Sequence, residues 1–442
     1  MGNSFLGNLL EGKGVELSIY LGLGIAVMNM LVGIINLQKG LYIYLLLAFV
    51  CPTIILGNQQ ISYDLLGFFA VCVLLFFNSK KKKTRPLIRH MGLYFFLLFI
   101  STLISVLLKD STINYISVLG YARLILLLYF LQLYCEKETL RKAVYNVVVI
   151  NFVVMLLQYF SDTAAIWSYR LFAKSSSQAL SYYYSIGKID RLTGTFSNIL
   201  PVAYFMLFAF IVSLAHYCEK NSETKKDLFV LFFSLVCGGL AVSKSFILGL
   251  PLVIISWIVF SKVFHRKEYD VFRGKRVLLI LIIIIFIVAS VILKDSLRMS
   301  NVINYYLESV RSGEFFASRY NESGVLKDAI EVIKDNWLIG IGSATLHSEF
   351  LGDSQYITIL HNTGILGLMI IISMFISYAR RLIHLKSVPG LTAIVLIMAV
   401  GFAGTTVFST IGIVLLSYVF ISAKEKNNSN QSAHANVKVG SR

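Results

Sequence analysis

Two cationic residues stand where they could bind a phosphate group. Arg191 comes directly before the polar stretch LTGTFSN (192–198), which leads into an apolar segment. A guanidinium beside the backbone amides of a helix N-terminus makes a good phosphate clamp. Lys244 lies in a tight Ser-Lys-Ser turn between two apolar segments, where an ammonium could neutralise an anionic lipid or substrate. Both positions also suit a side chain that only snorkels to the membrane surface.

Two further arginines could contribute to the same chemistry. Arg319 precedes an amphipathic stretch and a glycine turn, and it could bind phosphate or pair with Glu314 or Glu322. Arg123 lies within an apolar segment, and an arginine inside a membrane is functional by default. A purely structural pair of Arg123 with Asp64 is the alternative.

One histidine and one acid are candidates for the catalytic base. His347 follows the glycine turn and lies close to Glu349 and Asp353 in the sequence. A neutral imidazole or a carboxylate could accept a proton from a hydroxyl group. Each residue also fits an ordinary solvated loop position. His361, in the first turns of the next apolar segment, fits a histidine that only packs between helices.

The elements that position these residues must lie in a membrane. Of the 442 residues, 57% are hydrophobic and only 14% are charged, against about 25% in ordinary soluble domains. Mean hydropathy is +0.75. This composition excludes a soluble enzyme, a disordered chain and a disulfide scaffold.

The sequence predicts thirteen apolar spans, nearly all helical, because an open strand cannot satisfy its backbone polar groups in lipid. They lie at roughly 15–37, 41–57, 61–78, 91–108, 114–135, 143–160, 195–217, 228–242, 245–261, 277–293, 356–378, 390–404 and 405–422. If two of the first three form one span or a re-entrant pair, there are twelve. The predicted fold class is therefore an all-α polytopic membrane protein with about 12–13 transmembrane helices.

Basic residues indicate the orientation, since cytoplasmic loops are enriched in Lys and Arg. Six segments hold 25 of the 40 basic residues, and all six fall on one side if the spans alternate. They are 79–90, 136–142, 218–227, 262–276, 379–389 and the C-terminal tail. That side is predicted to be cytoplasmic. The net charge of +17 is then mostly a topology signal, and no nucleic-acid partner is expected.

Two long connections lie on the opposite side, at 161–194 and 294–355. Within the larger one, 323–335 (SGVLKDAIEVIKD) predicts an amphipathic helix capped by Ser323 and lying on the membrane surface. Residues 1–422, with both outer loops, form the predicted transmembrane bundle. Residues 423–442 are predicted to be a disordered cytoplasmic tail.

Several other classes of site leave no signature in the sequence. There is no phosphate-loop glycine motif, no paired metal-ligand histidines and no serine-nucleophile elbow. The five cysteines show no metal-ligand spacing, and a structural disulfide is not expected. No cleavable signal peptide is expected either. We therefore predict neither a metal nor a cofactor.

Two stretches of the outer loops resemble the O-antigen polymerase and O-antigen ligase family of bacterial envelope glycan assembly. The stretch RLTGTFSNILP (191–201) is similar to the family's R-x-x-G-x-F-x-N-P-N pattern, with Ile-Leu-Pro in place of Pro-Asn. The second stretch is Ser318-Arg319, the amphipathic helix, NWLIGIGS (336–343), DSQY (353–356) and GILGL (364–368). The number of spans and the place of the large loop also match the family.

The resemblance implies a polymerase of bacterial surface polysaccharide in the inner membrane. It would transfer a growing glycan from undecaprenyl pyrophosphate to a sugar hydroxyl of another lipid-linked repeat unit, with inversion and without a metal. Arg191, Arg319, Lys244 and Arg123 would bind the pyrophosphate. His347 or Asp353 would orient or deprotonate the acceptor.

Two alternatives remain at this stage, an O-antigen ligase that passes glycan to a lipid A core and a lipid-linked oligosaccharide flippase. By its spacing to Gly364, Asp353 occupies the place of the histidine in ligase-like members, which favours a polymerase. The large outer loop argues against a flippase. The implied partners are undecaprenyl-pyrophosphate-linked oligosaccharides and the lipid bilayer, with a chain-length regulator protein as a further candidate.

Overall fold

The computed structural model is predominantly α-helical in the part of the chain that it describes. It describes residues 13–52, 54–56, 59–61, 63, 67–68, 71–74, 86–109, 112–113, 115–172, 192–219, 225–269, 304, 308, 310–313, 326–345, 354–404 and 406–421. Two antiparallel ribbons of very short strands accompany the helices. Strand β1 (Ile54–Leu56) pairs with β2 (Gln59–Ile61), and β3 (Thr112–Ile113) pairs with β4 (Ala344–Thr345).

Some of the helices follow one another directly, whereas others are separated by long stretches that lie largely outside the described residues. In chain order they are α1 Lys13–Ile35, α2 Leu37–Val50, α3 Pro86–Lys109, α4 Tyr115–Tyr134, α5 Lys137–Phe160, α6 Asp162–Phe172, α7 Ile199–Glu219, α8 Lys225–Leu240, α9 Lys244–Val263, α10 Lys327–Asp335, α11 Gln355–His384, α12 Val388–Val400 and α13 Thr410–Ile421. A single 3₁₀ turn, Lys267–Tyr269, follows α9.

Six of these helices, all among the described residues, are long and apolar enough to cross a membrane. They lie within α3, α4, α5, α7, α9 and α11, and each holds an apolar window of at least 18 residues. Four shorter apolar helices accompany them, in α1, α2, α12 and α13. Because a spanning helix needs about 20 apolar residues, the chain is a polytopic α-helical membrane protein.

Most of the predicted spans coincide with observed helices. The fifth prediction, 114–135, corresponds to α4, and 356–378 corresponds to α11. The second prediction, 41–57, was too long, because α2 ends at Val50, just before Pro52, and the chain then enters the β1–β2 ribbon. The predicted loop 379–389 shrinks to a turn, since α11 continues to His384 and α12 begins at Val388. The prediction at 277–293 lies outside the described residues, and 61–78 is described only in part.

Contacts divide the chain into two compact units. The first unit comprises Met1–Lys81, Tyr134–Ile247 and Leu278–Ile303, and the second comprises Lys82–Leu133, Leu248–Val277 and Asn304–Arg442. In the first unit α5 packs against α2, α6, α7 and α8. In the second unit α11 packs against α3, α10 and α12.

The first two helices of the first unit are separated by one residue. Asn36 has extended backbone angles, and its side chain accepts a hydrogen bond from the Lys39 amide at 3.1 Å, which caps α2. The helices approach closely there, since a Cβ on Gly40 would lie 2.4 Å from the Gly33 Cα. The chain therefore leaves α1 and enters α2 with no loop between them.

The amphipathic helix predicted within 323–335 is present but shorter than predicted. Helix α10 begins at Lys327, and its N-cap residue is Leu326, which offers no side-chain hydrogen bond. Ser323, the predicted cap, lies outside the described residues and is three positions too early for that role. Leu326 and Ala329 are buried, whereas the five charged residues of α10 are exposed, as expected for an amphipathic helix.

Candidate functional site

In the first unit, the turn that follows Arg191 is tightly built and buried. Gly194 has a φ of 59°, and a Cβ there would lie 2.2 Å from the Asn151 Oδ1, so only glycine fits. The Thr195 hydroxyl donates a hydrogen bond to the Phe49 carbonyl at 2.7 Å. These contacts fix the turn against α2 and α5 just before α7 begins.

The amides of this turn are already used by the protein. The Gly194 amide donates to the Gln158 Oε1 at 3.0 Å, and the Thr195 amide donates to the Asn151 Oδ1 at 2.9 Å. The Phe196 amide donates to the Thr193 carbonyl at 3.0 Å. These three amides are therefore not available to a phosphate. The predicted clamp of Arg191 uses the amides of a helix N-terminus, which here is α7 from Ile199, and these bonds do not test it.

Lys244 is the first residue of α9 and is partly exposed, as the predicted turn requires. Helix α8 ends at Leu240, and Val242 takes a φ of 41° in the turn between the two helices. The Leu240 carbonyl accepts a hydrogen bond from the Leu192 amide at 3.2 Å. The residue directly after Arg191 is therefore bonded to the turn that leads to Lys244, within the same unit.

In the second unit, the glycine turn is inserted into a break of helix α11. Gly364 has φ 60° and ψ −161°, so the hydrogen-bond ladder of the helix is interrupted there. In a continuous helix the amides of Ile365 and Leu366 would bond to the carbonyls of His361 and Asn362. The break leaves these two amides and two carbonyls without their usual partners.

The segment 336–343, which we name the docking loop, satisfies all four of these groups. The Ile341 and Gly342 amides donate to the carbonyls of His361 and Asn362, at 2.9 and 2.8 Å. In return, the Trp337 and Leu338 carbonyls accept from the amides of Ile365 and Leu366, at 2.8 and 3.4 Å. The loop thus completes the backbone hydrogen bonding of a broken membrane helix, which lipid could not do.

Helix α3 holds the docking loop from another direction. The Ser101 hydroxyl lies 2.8 Å from the Ile339 carbonyl, and the Thr102 hydroxyl accepts a hydrogen bond from the Ser343 amide at 2.8 Å. Gly342 has a φ of 70°, and a Cβ there would lie 2.3 Å from the Thr102 amide nitrogen. The chain continues into β4, which pairs with β3. The backbone of the loop is therefore held by the backbone of α11 and by two side chains of α3.

Asn362 links the break to helix α4. Its Nδ2 donates to the Tyr121 hydroxyl at 3.0 Å, and its Oδ1 lies 2.9 Å from the His361 Nδ1. The Tyr121 ring packs edge-on against Phe408, with centroids 5.1 Å apart. His361 is buried here, as expected for a packing histidine. The sequence marked its neighbour Gly364 but offered no signal for the role of Asn362.

The remaining predicted site residues divide into two groups. Arg123 is described, and it lies partly buried within α4. Arg191, Arg319, His347 and Asp353 lie outside the described residues, as does Asp64. The structure brings Leu192 to the turn before Lys244, and the docking loop to α11, but it does not test the predicted cation cluster as a whole.

A buried ionic cluster in the first unit was missed by the sequence analysis. Asp227, in the first turn of α8, is fully buried, and its Oδ2 lies 2.9 Å from the His216 Nδ1. The Tyr145 hydroxyl donates to its Oδ1, and the Arg141 Nη1 lies 3.7 Å from the same oxygen. The cluster joins α5, α7 and α8 at the end predicted to be cytoplasmic. In the sequence, Asp227 is the last residue of the basic segment 218–227, and nothing in that segment indicates that its carboxylate is buried.

The described residues offer no metal site, since no three His, Cys, Asp or Glu side chains among them are grouped to hold an ion. All five cysteines are free. Between α4 and α5, burial raises the pKa of the Cys135 thiol to about 12, so that this thiol stays protonated and unreactive at neutral pH.

The fold defines the class of this protein, a polytopic α-helical membrane protein with a helix broken around a docked loop. No protein-family model matches the chain, and a search of curated proteins finds no match either. The activity must therefore be argued from the arrangement of the residues themselves.

Proposed function

We propose that the protein is a polymerase of bacterial surface polysaccharide. It transfers a glycan from undecaprenyl pyrophosphate to a hydroxyl of another lipid-linked repeat unit, at the outer side of the inner membrane. The acceptor oxygen attacks the anomeric carbon from the face opposite the phosphate, and the bond between that carbon and the phosphate oxygen breaks. The pyrophosphate leaves as an anion, and the acceptor proton passes to His347 or Asp353.

The observation that carries the proposal is the contact between the docking loop and the break in α11. The stretches 336–343 and 364–368 support the family resemblance, and they are separated by 20 residues of sequence. Their backbones complete each other's hydrogen bonding, and both Gly340 and Gly364 adopt positive φ. The two stretches on which the resemblance rests therefore form one structural feature, which supports the proposal.

The charge arrangement is a second support. Breaking the glycosyl bond develops negative charge on a pyrophosphate, which cations must stabilise. The bond between Leu192 and Leu240 holds the chain after Arg191 against the turn before Lys244. The Gly194 and Thr195 amides are bonded within the protein, and the proposal assigns the stabilisation of the pyrophosphate to the guanidinium and ammonium groups.

Arginine substitutions test the proposed pyrophosphate site. Arg191→Ala and Arg319→Ala should each lower polymer formation by about 10²–10³-fold, because each removes a cation from the developing charge. The measurement is the length distribution of surface glycan in a deletion strain complemented with each variant. Arg311→Ala, in the same outer loop and exposed, is the matched control and should polymerise normally.

Normal-length polymer from both variants, at normal expression, would contradict the pyrophosphate assignment. The deletion strain itself separates the three activities. Loss of a polymerase leaves single repeat units on the surface lipid, and loss of a ligase leaves long chains on the carrier. Loss of a flippase leaves neither at the surface, with units trapped inside.

The catalytic base is tested by a separate pair of substitutions. Either His347→Ala or Asp353→Ala should reduce the rate of chain growth by about 10²–10⁴-fold, since a positioned base contributes that much. Glycan length and initial rate are measured in membranes supplied with lipid-linked repeat units, and Glu349→Ala serves as the control. If both variants polymerise at the wild-type rate, neither residue is the base.

One observation favours a second candidate, a lipid-linked oligosaccharide flippase. Transporters bind their substrates at discontinuous membrane helices, and α11 is discontinuous at Gly364. In α11, however, the docking loop occupies all four backbone groups that the break releases. These groups are not available to a substrate, so we place the flippase second.

A further inference from the structure

The docking loop carries two large apolar side chains that the protein leaves uncovered. Trp337 is 61% exposed and Leu338 is 44% exposed, directly after an amphipathic helix whose apolar residues Leu326 and Ala329 are buried. The charged residues of helix α10 are exposed and form the face of the helix that is turned to water. A soluble surface would not be expected to hold a tryptophan and a leucine side by side in this way.

These two side chains adjoin the apolar surface of α11. The Leu338 carbonyl bonds to the Leu366 amide, and Leu366 begins a row of exposed apolar residues along the helix. The row continues with Met369, Ile372 and Ile376, at the spacing of one helical face. Because α11 is long and apolar enough to cross the membrane, this face is the one that meets lipid.

Trp337 and Leu338 therefore stand where the lipid-facing row begins, on the predicted outer side. Tryptophan is enriched at both membrane–water interfaces, since its ring is apolar and its indole N–H is polar. The charged face of α10, in contrast, requires water. A boundary between headgroups and acyl chains that passes between α10 and Trp337 satisfies both requirements.

We propose that Trp337 and Leu338 insert into the interfacial region of the outer leaflet and anchor the docking loop to the lipid. The partner of these two side chains is the lipid bilayer itself. The proposed anchor does not depend on the proposed enzymatic function. If the proposed function also holds, the anchor keeps the glycine turn at the depth of a carrier-lipid pyrophosphate.

Tryptophan fluorescence tests the anchor, because the chain has only three tryptophans. The protein is reconstituted into vesicles whose lipids carry bromine either close to the headgroup or near the chain end. The contribution of Trp337 is the difference between the Trp167→Phe protein and the Trp167→Phe/Trp337→Phe protein. We expect lipid brominated close to the headgroup to quench this difference signal at least about twofold more than lipid brominated near the chain end.

Trp257 remains in both proteins as an internal control. It is buried, and its Nε1 donates to the Tyr269 carbonyl at 3.0 Å, so neither lipid should quench it strongly. Should Trp167→Phe impair folding, the difference between wild type and Trp337→Phe reports the same signal. Strong quenching of Trp337 by aqueous iodide, with none by either brominated lipid, would overturn the anchor. Because no glycan is involved, this outcome is independent of the polymerase test.

Discussion

Replacing Gly364 by alanine should dislodge the docking loop and abolish polymer formation. The backbone there, with φ 60° and ψ −161°, lies in a region that is essentially restricted to glycine, and a side chain costs about 1–3 kcal/mol. A Cβ would also lie 2.3 Å from the Leu338 carbonyl carbon and 2.5 Å from the Ile339 amide nitrogen. Both neighbours are backbone atoms and cannot rotate away.

The total loss of stability should be about 4 kcal/mol or more, in the range reserved for severe local disruption. The stability is measured by thermal or denaturant unfolding of the purified protein in detergent, and the glycan length distribution is measured in cells.

Gly120→Ala in α4 is the matched control, since a Cβ there meets no atom within 4 Å. Alanine is favoured over glycine in a helix by about 0.5–1 kcal/mol, so this control should be at least as stable as the wild type. Wild-type stability and glycan length in Gly364→Ala would refute the structural role of the break.

Replacing Asp227 by alanine should have a comparably large effect in the first unit. The carboxylate is fully buried and is the common partner of Tyr145, His216 and Arg141. Removing one partner from a buried ionic cluster typically costs about 3–5 kcal/mol, because the remaining polar groups stay buried without compensation. We therefore expect a reduced free energy of unfolding and looser packing of α5, α7 and α8.

The free energy of unfolding in mixed micelles provides the measurement. Glu138→Ala is the control within the same region, since its ion pair with Arg141 at 2.6 Å is half exposed and should contribute about 1 kcal/mol or less. Asp227→Asn keeps the shape of the side chain but removes its charge, so its loss should fall between the two. If Asp227→Ala were no more destabilising than Glu138→Ala, the cluster would not be holding the helices together.

The helices were predictable because their signal is local. Spans such as 114–135 and 356–378 consist mostly of apolar residues, and α4 and α11 are found there. The end of α2 was missed because strand β1, Ile54–Leu56, follows closely and is as apolar as a helix would be. Its end depends on Pro52 and on strand pairing, which hydropathy does not register.

The site was less predictable because its contacts are distant in sequence. The glycine turn was recognised from its own residues, yet its insertion into α11 depends on carbonyls 20 residues later. The amides of Gly194 and Thr195 are bonded within the protein, which no local pattern indicates. Their partners, Gln158 and Asn151, are 36 and 44 residues away. Asp227 illustrates the same problem, since nothing local distinguishes a buried aspartate from a solvated one.

The seating of the docking loop also restricts how this part of the protein can move. Lifting the loop away from α11 would leave two amides and two carbonyls of a membrane helix without hydrogen bonds. Each unsatisfied group costs several kcal/mol where water cannot reach. The docking loop is therefore expected to stay bound to α11 and not to open. If the proposed function holds, the docking loop keeps its place during turnover, and any rearrangement occurs elsewhere in the chain.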